Sequence, residues 1–219
     1  MLKKIFNKLG EYINSDAFLI LRAPVKQKIA VDESDRVEQL TDIEEIKRIY
    51  QQSDRSHPGY MQNFEARIQH GLTFFVYYRE NEIAATTWML YDIPRFIDEL
   101  VLHVYPEEKS LWIRDIYVTE KFRGKNCFAK LIYLVSHHFY RDSVNYLYSD
   151  VQKSNFSSVR AHEKYGFMVV DSMNYTHIFQ WLIIRSIRSV KTRVNAFAPT
   201  KSVLLRGNQL KSYIKENIA

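Results

Sequence analysis

One stretch of the chain combines the residue types of a phosphate-binding turn. The β-forming run Ile116–Val118 leads into a turn that holds Arg123, Gly124 and Lys125, and apolar residues then recur at helical spacing. The first N–H groups of a helix have no partner within it and lie at the positive end of its dipole. Two cations beside such a helix start strengthen its attraction for phosphate. The sequence therefore predicts an anion-binding turn at this point.

A second stretch, Val151–Phe167, reads as a strand, a short helix and another strand. Asn155 stands where the helix would begin, and asparagine is a favoured N-cap residue. Gly166 follows the last helical residue, a position where glycine ends many helices in the left-handed conformation. The pattern predicts a helix over 155–165 between the two strands.

Together the two stretches resemble the GCN5-related N-acetyltransferase (GNAT) superfamily, whose acetyl-CoA loop reads Q/R-x-x-G-x-G/A. The later family element reads V-x-x-x-N-x-x-A/S-x-x-x-Y-x-K-x-G-F. This chain matches it at Val151, Asn155, Ser158, Lys164, Gly166 and Phe167. In the loop Arg123 matches, while Asn126 and Phe128 occupy the positions of small residues, and His162 occupies the tyrosine position of the later element. The order and spacing of the strands also fit, so the resemblance covers roughly residues 37–184.

The resemblance implies a GNAT fold, an α/β domain with a mixed, mostly antiparallel, twisted sheet of about six to seven strands flanked by helices. It also implies acetyl-CoA as a co-substrate. Backbone N–H groups of residues 123–128 would hold the pyrophosphate, Asn155 would contact the pantetheine arm, and an N–H near Tyr117–Thr119 would polarise the thioester carbonyl. The implied cofactor-binding residues are Tyr117, Val118, Arg123, Gly124, Lys125, Asn126, Cys127, Phe128, Asn155 and Ser158.

In this family the acceptor amine attacks the thioester directly, and both substrates are held together. The family tyrosine at the position of His162 protonates the departing thiolate, and a histidine can also donate a proton there. The resemblance thus implies a catalytic role for His162. The alternative is a histidine on the surface of its helix.

Asp115 is the candidate base that takes a proton from the amine, because relatives often carry an acidic pair just before this strand segment. If the strand alternates regularly, Asp115 shares a face with Leu111, Ile113 and Tyr117. Apolar neighbours would raise the pKa of its carboxyl, which suits a base. The alternative is a surface ion pair with Arg114.

Further candidate sites are few. His57 lies in a turn-rich loop, in a region from which relatives build acceptor sites, although a loop histidine is more often simply solvated. His137 and His138 are adjacent within a predicted helix and so do not face one way, and we predict no metal site. The single cysteine, Cys127, excludes an internal disulfide and a cysteine-rich zinc site, and indicates a reducing compartment. We therefore expect a cytoplasmic protein.

Glycine count and charge exclude other classes. The chain has 219 residues and only 6 glycines, no two of them spaced as G-x-G, so a dinucleotide fingerprint and a standard P-loop are excluded. The formal net charge is +6, but residues 181–219 carry eight basic residues and one acid, +7, which leaves −1 for the rest. A nearly neutral body argues against nucleic acid as a partner.

The pattern divides the chain into an N-terminal part (1–35), an acyltransferase domain (36–184) and a basic extension (185–219). An amphipathic helix is predicted over 2–13, docked on the domain or lying on a membrane surface. No secretory signal is expected at the start, and the longest uncharged apolar stretch, His177–Ile184, is too short to span a bilayer. Other predicted elements are strands 17–21, 111–118, 167–170 and 175–184, an irregular connection 92–110 and a helix 123–140.

The extension itself has two interpretations. Apolar residues from Ile183 to Phe197 recur at helical spacing among basic residues. This favours either a last strand followed by a solvated strap, or a basic amphipathic helix that contacts anionic lipid or an acidic protein.

We therefore expect an acyl-CoA-dependent N-acyltransferase, with acetyl as the acyl group, that transfers it directly to an amine of a small molecule or amino sugar. The alternative from another class is a GNAT-fold binding or scaffold protein with weak or no turnover. The departures at Asn126, Phe128 and His162 favour that alternative. A basic nucleic-acid binder is a third class, and the charge distribution disfavours it.

Overall fold

A computed structural model describes residues 13–25, 28–53, 64–93, 95–97, 102–104, 106–140, 143–178, 181–187 and 203–206. These residues fall into two compact units, which we describe separately. The first unit draws on Met1–Arg22, Pro94–Pro106 and Asp150–Ala219, and the second on Ala23–Ile93 and Glu107–Ser149.

The described strands and helices follow one another along the chain without a regular alternation. In order they are β1 (Ile13–Pro24), β2 (Arg36–Leu40), α1 (Ile43–Gln52), α2 (Phe64–Gln69), β3 (Thr73–Arg79), β4 (Glu82–Tyr91), β5 (Arg95–Ile97), β6 (Leu102–Val104), β7 (Ser110–Val118), α3 (Cys127–His138), β8 (Tyr146–Gln152), α4 (Phe156–Tyr165), β9 (Met168–Ile178), β10 (Trp181–Ile187) and β11 (Val203–Arg206).

The second unit contains a mixed sheet in the strand order β8-β7-β4-β3-β2. Only β7 and β8 run parallel; the other neighbours are antiparallel. Helix α3 packs on β2, β3, β4 and β7. The apolar side chains of α3 recur at helical spacing, so one face is buried: Leu131, Ile132, Leu134 and Val135. A mixed, mostly antiparallel sheet flanked by helices is therefore confirmed.

In the first unit, β1 pairs with β9, β9 with β10, and β10 with β11, all antiparallel. Strands β5 and β6 form a separate two-stranded sheet. The guanidinium of Arg95 reaches both carboxylate oxygens of Asp150 at 3.2 and 3.3 Å, and both side chains are buried. This paired contact fixes the small sheet to the end of β8 within the unit.

Several predicted boundaries are wrong. The connection 92–110 contains β5 and β6, whose three-residue strands are too short for a periodic signal. The strands predicted over 167–170 and 175–184 are instead one strand, β9, followed by β10 after residue 178. The short strand predicted over 17–21 extends over twelve residues, as β1.

The predicted terminal elements fall mostly outside the described residues. Residues 1–12, most of the predicted N-terminal helix, and residues 188–202 and 207–219 of the basic extension are among those not described. Within the described part, residues 181–187 form β10, so the helical interpretation is wrong for this segment. The apolar residues of this segment fit one face of a strand and one face of a helix, so their spacing alone could not decide between a strand and a helix.

Candidate active site

Strand β7 has a bulge where it pairs with β4. The two strands are in register at Trp88 with Arg114 and again at Thr86 with Tyr117, so two residues of β7 lie opposite one residue of β4. Asp115, inside this bulge, has a φ of 54°. Residues other than glycine rarely adopt this left-handed conformation. The regular alternation predicted for the strand is therefore wrong at Asp115.

β7 is bordered by β8 along only part of its length. The parallel ladder joins Ser110–Ile113 to Tyr146–Ser149, while β7 continues along β4 as far as Val118. The N–H of Thr119 donates to the carbonyl of Ala84 at 3.0 Å. Because N–H groups alternate in direction along an antiparallel strand, the N–H of Val118 points away from β4. This edge can offer backbone hydrogen bonds to an extended ligand.

The turn after β7 is fixed at its start by the Thr119 hydroxyl. This hydroxyl lies within hydrogen-bond distance of the carbonyls of Ile83 and Ala84, at 3.0 and 3.2 Å. A 3-10 turn over Glu120–Phe122 follows, and Gly124 then has a φ of 76°. A Cβ at Gly124 would meet nothing within 4 Å, so the backbone angle, and not a lack of space, requires glycine there.

Asn126 has φ 61° and ψ 18°, and α3 begins with the next residue. Asparagine adopts this left-handed conformation more readily than other residues with a side chain. The asparagine that departs from the family glycine therefore keeps the backbone shape of the turn. Two left-handed residues before α3 also explain why the helix predicted from Arg123 begins only at Cys127.

The turn that the sequence predicts to bind an anion lies in the second unit, directly before α3. The first backbone bond of α3 runs from the N–H of Lys130 to the carbonyl of Asn126 at 3.1 Å, so the preceding N–H groups have no acceptor inside the helix. The first turn carries no acid, and the side chains of Arg123 and Lys125 are exposed. Arg123 Nε donates to the carbonyl of Val118 at 3.4 Å, which brings a cation to the end of β7.

Cys127 and Phe128 are the first two residues of α3. The Cys127 side chain is buried, and burial raises the pKa of its thiol. A protonated, buried thiol is a poor nucleophile, so Cys127 can contribute its backbone N–H and no covalent chemistry. Phe128 is half-buried on the helix.

The carboxylate of Asp115 is held by two side chains from helices. Tyr50 of α1 donates to its Oδ2 at 3.0 Å, and Arg67 of α2 donates to the same oxygen at 2.9 Å. Asp115 and Arg67 are 23% and 18% exposed. The apolar surroundings expected for Asp115 are therefore wrong, and its ion-pair partner Arg67 lies 48 residues away in sequence. Only long-range packing brings α2 to β7, so no local sequence signal could have identified Arg67.

In the first unit, Asn155 caps α4. Its Oδ1 accepts from the N–H of Ser158 at 3.2 Å and from the hydroxyl of Ser157 at 3.0 Å. The predicted N-cap is confirmed, and the cap leaves the exposed amide group of Asn155 at the start of the helix. Ser158 is half-buried.

His162 lies one turn after Ser158 and is 1% exposed. Its Nδ1 donates to the carbonyl of Ser158 at 2.8 Å, and its ring lies edge-on against Phe167 with centroids 5.0 Å apart. Burial lowers the pKa of His162, and the Ser158 carbonyl and the charge of Asp150 offset this only in part. The surface position considered from the sequence is therefore wrong: at neutral pH this is a neutral, buried ring whose proton is bound to the backbone.

A polar cluster that sequence reasoning missed lies beside α3, with Lys130 and Tyr77 buried and Asp32 exposed. Lys130 Nζ donates to Asp32 and Asp35 at 2.6 Å each, Tyr77 also donates to Asp35, and Arg79 lies 3.2 Å from Asp32. We call these five residues the Lys130 cluster. Lys130 falls on the same helix face as apolar residues, and only this mismatch in the sequence pattern signals that it has a buried partner.

Other predicted features can be placed briefly. His57 lies outside the described residues. Nδ1 of His137 donates to the carbonyl of Tyr133 at 2.9 Å. Within the described part of the chain, no group of three or more His, Cys, Asp or Glu side chains could hold a metal ion. No helix described there has both the length and the apolar character to cross a membrane.

Comparison with known proteins decides the family. A model of the acetyltransferase (GNAT) family matches residues 39–167, which is more than half of the chain. The chain belongs to the acetyltransferase (GNAT) family. The matched range includes β7, the turn before α3, α3 itself and α4, so both predicted motifs lie within the GNAT region. No curated protein sequence matches the chain.

Among solved structures, the chain is similar to a functionally unknown conserved protein from Staphylococcus epidermidis, at 10% identity and a TM-score of 0.52 over 80% of this chain and 66% of that one. It is also similar to a GCN5-related N-acetyltransferase from Kribbella flavida, at 7% identity and a TM-score of 0.47 over 78% of this chain and 62% of that one. A third similar structure is an acetyltransferase from the GNAT family of Colwellia psychrerythraea, at 13% identity and a TM-score of 0.48 over 76% of this chain and 57% of that one. The chain spans less than two thirds of each of these proteins. The GNAT fold predicted for the chain is confirmed.

Proposed function

We propose that this protein is an acyl-CoA-dependent N-acyltransferase that uses acetyl-CoA and acylates an amine of a small molecule or amino sugar. The observation that carries the proposal is the course of β7. The strand leaves its ladder with β8, turns the N–H of Val118 outward, and runs straight into the turn before α3. An extended pantetheine arm and a pyrophosphate need these two features in this order.

We propose the binding residues from that geometry and from the family pattern. Backbone N–H groups of Gly124 and of residues 126–128, together with the exposed cations Arg123 and Lys125, would hold the pyrophosphate; the N–H of Lys125 itself donates to the carbonyl of Phe122. The N–H of Val118 would bond the pantetheine arm or the thioester oxygen beside Tyr117. Asn155 and Ser158 would supply further polar contacts to the arm, as the family pattern implies.

The transfer itself needs one nucleophile and two proton movements. The nitrogen lone pair of the neutral amine attacks the thioester carbon, a C–N bond forms, and the C–S bond breaks. The amine loses one proton to a base, for which we propose Asp115, and the CoA thiolate gains one. Holding amine and thioester together supplies most of the acceleration in such a reaction.

His162 occupies the position of the family tyrosine, so it remains the candidate acid that protonates the thiolate. Its surroundings, however, favour a structural role. A neutral ring whose proton is bound to the Ser158 carbonyl has none to give. Water can protonate the thiolate instead. A chain that binds acetyl-CoA and transfers nothing would be the alternative GNAT-fold binding protein.

The test combines acetyl-CoA binding with an acceptor screen. At 100 times Kd, a ligand that binds only the folded chain stabilises it by about 2.7 kcal/mol, which a thermal shift detects. Replacing Arg123 and Lys125 by Gln should weaken acetyl-CoA binding about tenfold or more, since two charge-assisted contacts to phosphate are lost. Arg48→Gln, on the exposed face of α1, is the matched control and should bind normally.

Mass spectrometry of reactions with glucosamine, spermidine, lysine and a lysine peptide then identifies the acceptor class. A mass increase of one acetyl group on a small amine supports the proposal, and acetylation of the peptide alone would overturn the small-molecule assignment. If saturating acetyl-CoA does not stabilise the protein at all, the acyltransferase function is wrong.

A further inference from the structure

A directed chain of hydrogen bonds lies behind the bulge of β7. The indole Nε1 of Trp88 donates to the Tyr50 hydroxyl at 2.9 Å, and that hydroxyl donates to Asp115 Oδ2 at 3.0 Å. Arg67 donates to the same carboxylate oxygen at 2.9 Å. An indole N–H can only donate, so the Tyr50 hydroxyl accepts from Trp88 and donates its own proton to Asp115. Every donor in this group therefore favours an ionised carboxylate.

The packing makes this arrangement rigid. Trp88 and Tyr50 are fully buried, and the rings of Phe64 and Phe74 pack against both of them. The guanidinium carbon of Arg67 lies 5.3 Å from the centroid of the Trp88 ring. A planar guanidinium that is both stacked and hydrogen-bonded has little freedom to move.

The contacts to the Asp115 side chain also bear on its unusual backbone conformation, in which φ is 54°. A residue other than glycine rarely adopts the left-handed conformation, and it keeps that conformation only where the surroundings determine it. The ion pair with Arg67 and the hydrogen bond from Tyr50 hold Asp115 in this conformation. They hold a partly exposed carboxylate two residues before Tyr117 and three before Val118, on the strand that we propose binds the thioester.

We propose that Arg67 and Tyr50 are positioning residues for acyl transfer that act through Asp115. They hold its carboxylate ionised and in one orientation, so that even this weak base can take the proton of the acceptor nitrogen once the C–N bond has formed and that nitrogen is acidic. The inference rests on the proposed function, but it concerns the transfer step and not acetyl-CoA binding. Arg67 and Tyr50 come from α2 and α1, so these helices support the reaction as well as the core.

The test is a double-mutant cycle between Arg67→Met and Asp115→Asn. Asparagine is the suitable replacement because it tolerates the left-handed backbone, whereas alanine would add strain. Each single variant should lower kcat by about tenfold or more, as expected when a proton acceptor is lost or misplaced. The double variant should be no slower than Asp115→Asn alone, because Arg67 acts only through that carboxylate. Acetylation of glucosamine, or of whichever screened amine reacts fastest, is the readout.

Three controls separate this role from a structural one. Acetyl-CoA affinity should stay within about twofold in Arg67→Met, because the phosphate-binding turn is unchanged. Arg67→Lys should restore part of kcat, since it restores the positive charge without the planar guanidinium. Arg48→Met, the same substitution on the exposed face of α1, should leave kcat unchanged.

The outcomes distinguish the two proposals. Multiplicative losses in the double variant, or an unchanged kcat in Arg67→Met, would overturn the positioning role while leaving the acyltransferase function intact. Absence of any transfer by the unchanged protein would instead refute the function itself. If Arg67→Met does not fold, Tyr50→Phe replaces it in the cycle, because it removes one donor to Asp115 and keeps the ring.

Discussion

The buried imidazole of His162 couples the stability of the protein to pH at the scale of one residue. Burial lowers its pKa from the ordinary 6.5, so the unfolded chain binds a proton more readily than the folded chain. Its contribution is therefore complete above pH 6.5 and declines as the pH falls below that value. The ring fills space against Phe167, and the same position is where the family pattern would place an acid.

We predict that His162→Phe reduces the loss of unfolding free energy between pH 7 and pH 5, because the titrating group is gone and the ring contact remains. Urea unfolding at several pH values measures this, with His138→Phe, which replaces an exposed histidine on α3, as the control.

In the same His162→Phe variant, the kcat of acyl transfer should change less than about threefold if water protonates the thiolate. Loss of a catalytic acid would instead lower kcat about a hundredfold. A hundredfold loss would restore His162 as the acid.

At the scale of the element, the Lys130 cluster ties the first turn of α3 to the segment before β2. The Asp35 carboxylate is 0% exposed, and it accepts hydrogen bonds from Lys130 of α3, from Tyr77 of β3 and from the backbone N–H of Asp32. Burial alone would raise the pKa of Asp35, but the bonds from Lys130 and Tyr77 outweigh it and lower the pKa. Burial would lower the pKa of Lys130, yet its bonds to Asp32 and Asp35 raise it.

These opposite shifts bound the pH range in which the cluster stabilises the fold. Asp35 contributes fully above its ordinary value of 3.8 and loses that contribution as the pH falls through its lower folded pKa. Lys130 contributes fully below 10.5 and loses its contribution as the pH rises through its higher folded pKa. Since Asp35→Asn removes the buried one of the two carboxylates, we expect the unfolding free energy of that variant to depend less on pH below about pH 4.

We predict that Lys130→Met lowers the unfolding free energy by about 3 kcal/mol, because it leaves buried Asp35 without its cation. Removing both charges with Lys130→Met and Asp35→Asn should recover part of that loss. Denaturant unfolding gives the three values. The control is Lys47→Met, which breaks an exposed i,i+3 pair with Glu44 and should cost less than about 1 kcal/mol. Additive losses in the double variant would contradict the pairing.

The elements differ in how far the sequence could predict them. Helix α3 has an apolar face at regular spacing, and the helix of α4 has both caps, so local rules suffice for their existence. The bulge at Asp115 was not predictable, because a slip of one residue leaves no mark on the composition of the strand. Likewise Tyr50 and Arg67 look like ordinary helix residues until tertiary packing brings them to the carboxylate.

At the scale of the whole molecule, the charge is segregated along the chain. Residues 181–219 carry +7 and the remaining residues −1, so the high isoelectric point belongs to one segment. We therefore propose that the turn before α3 binds phosphate through a local arrangement of N–H groups and two cations, and not through a general positive field. Binding of polyanions and binding of acetyl-CoA should then depend on different residues.

We predict that replacing Arg188, Lys191 and Arg193 by Gln lowers retention on heparin and leaves acetyl-CoA affinity unchanged. The three cations lie in the basic extension, outside the range matched by the GNAT family. Salt elution from a heparin column and calorimetric titration of acetyl-CoA measure the two properties independently. Loss of acetyl-CoA binding in this variant would show that the extension belongs to the catalytic domain.

Burial of Lys130 affects which lysines of the protein react with acetyl-CoA on their own during an assay. Acetyl-CoA modifies exposed lysines slowly without a catalyst, and only the neutral amine reacts. Lys130 is buried, protonated and bonded to two carboxylates, whereas Lys121, Lys125 and Lys153 are exposed. Self-acetylation will therefore accumulate on the exposed lysines first, and an acetyl group on Lys130 identifies molecules that had unfolded.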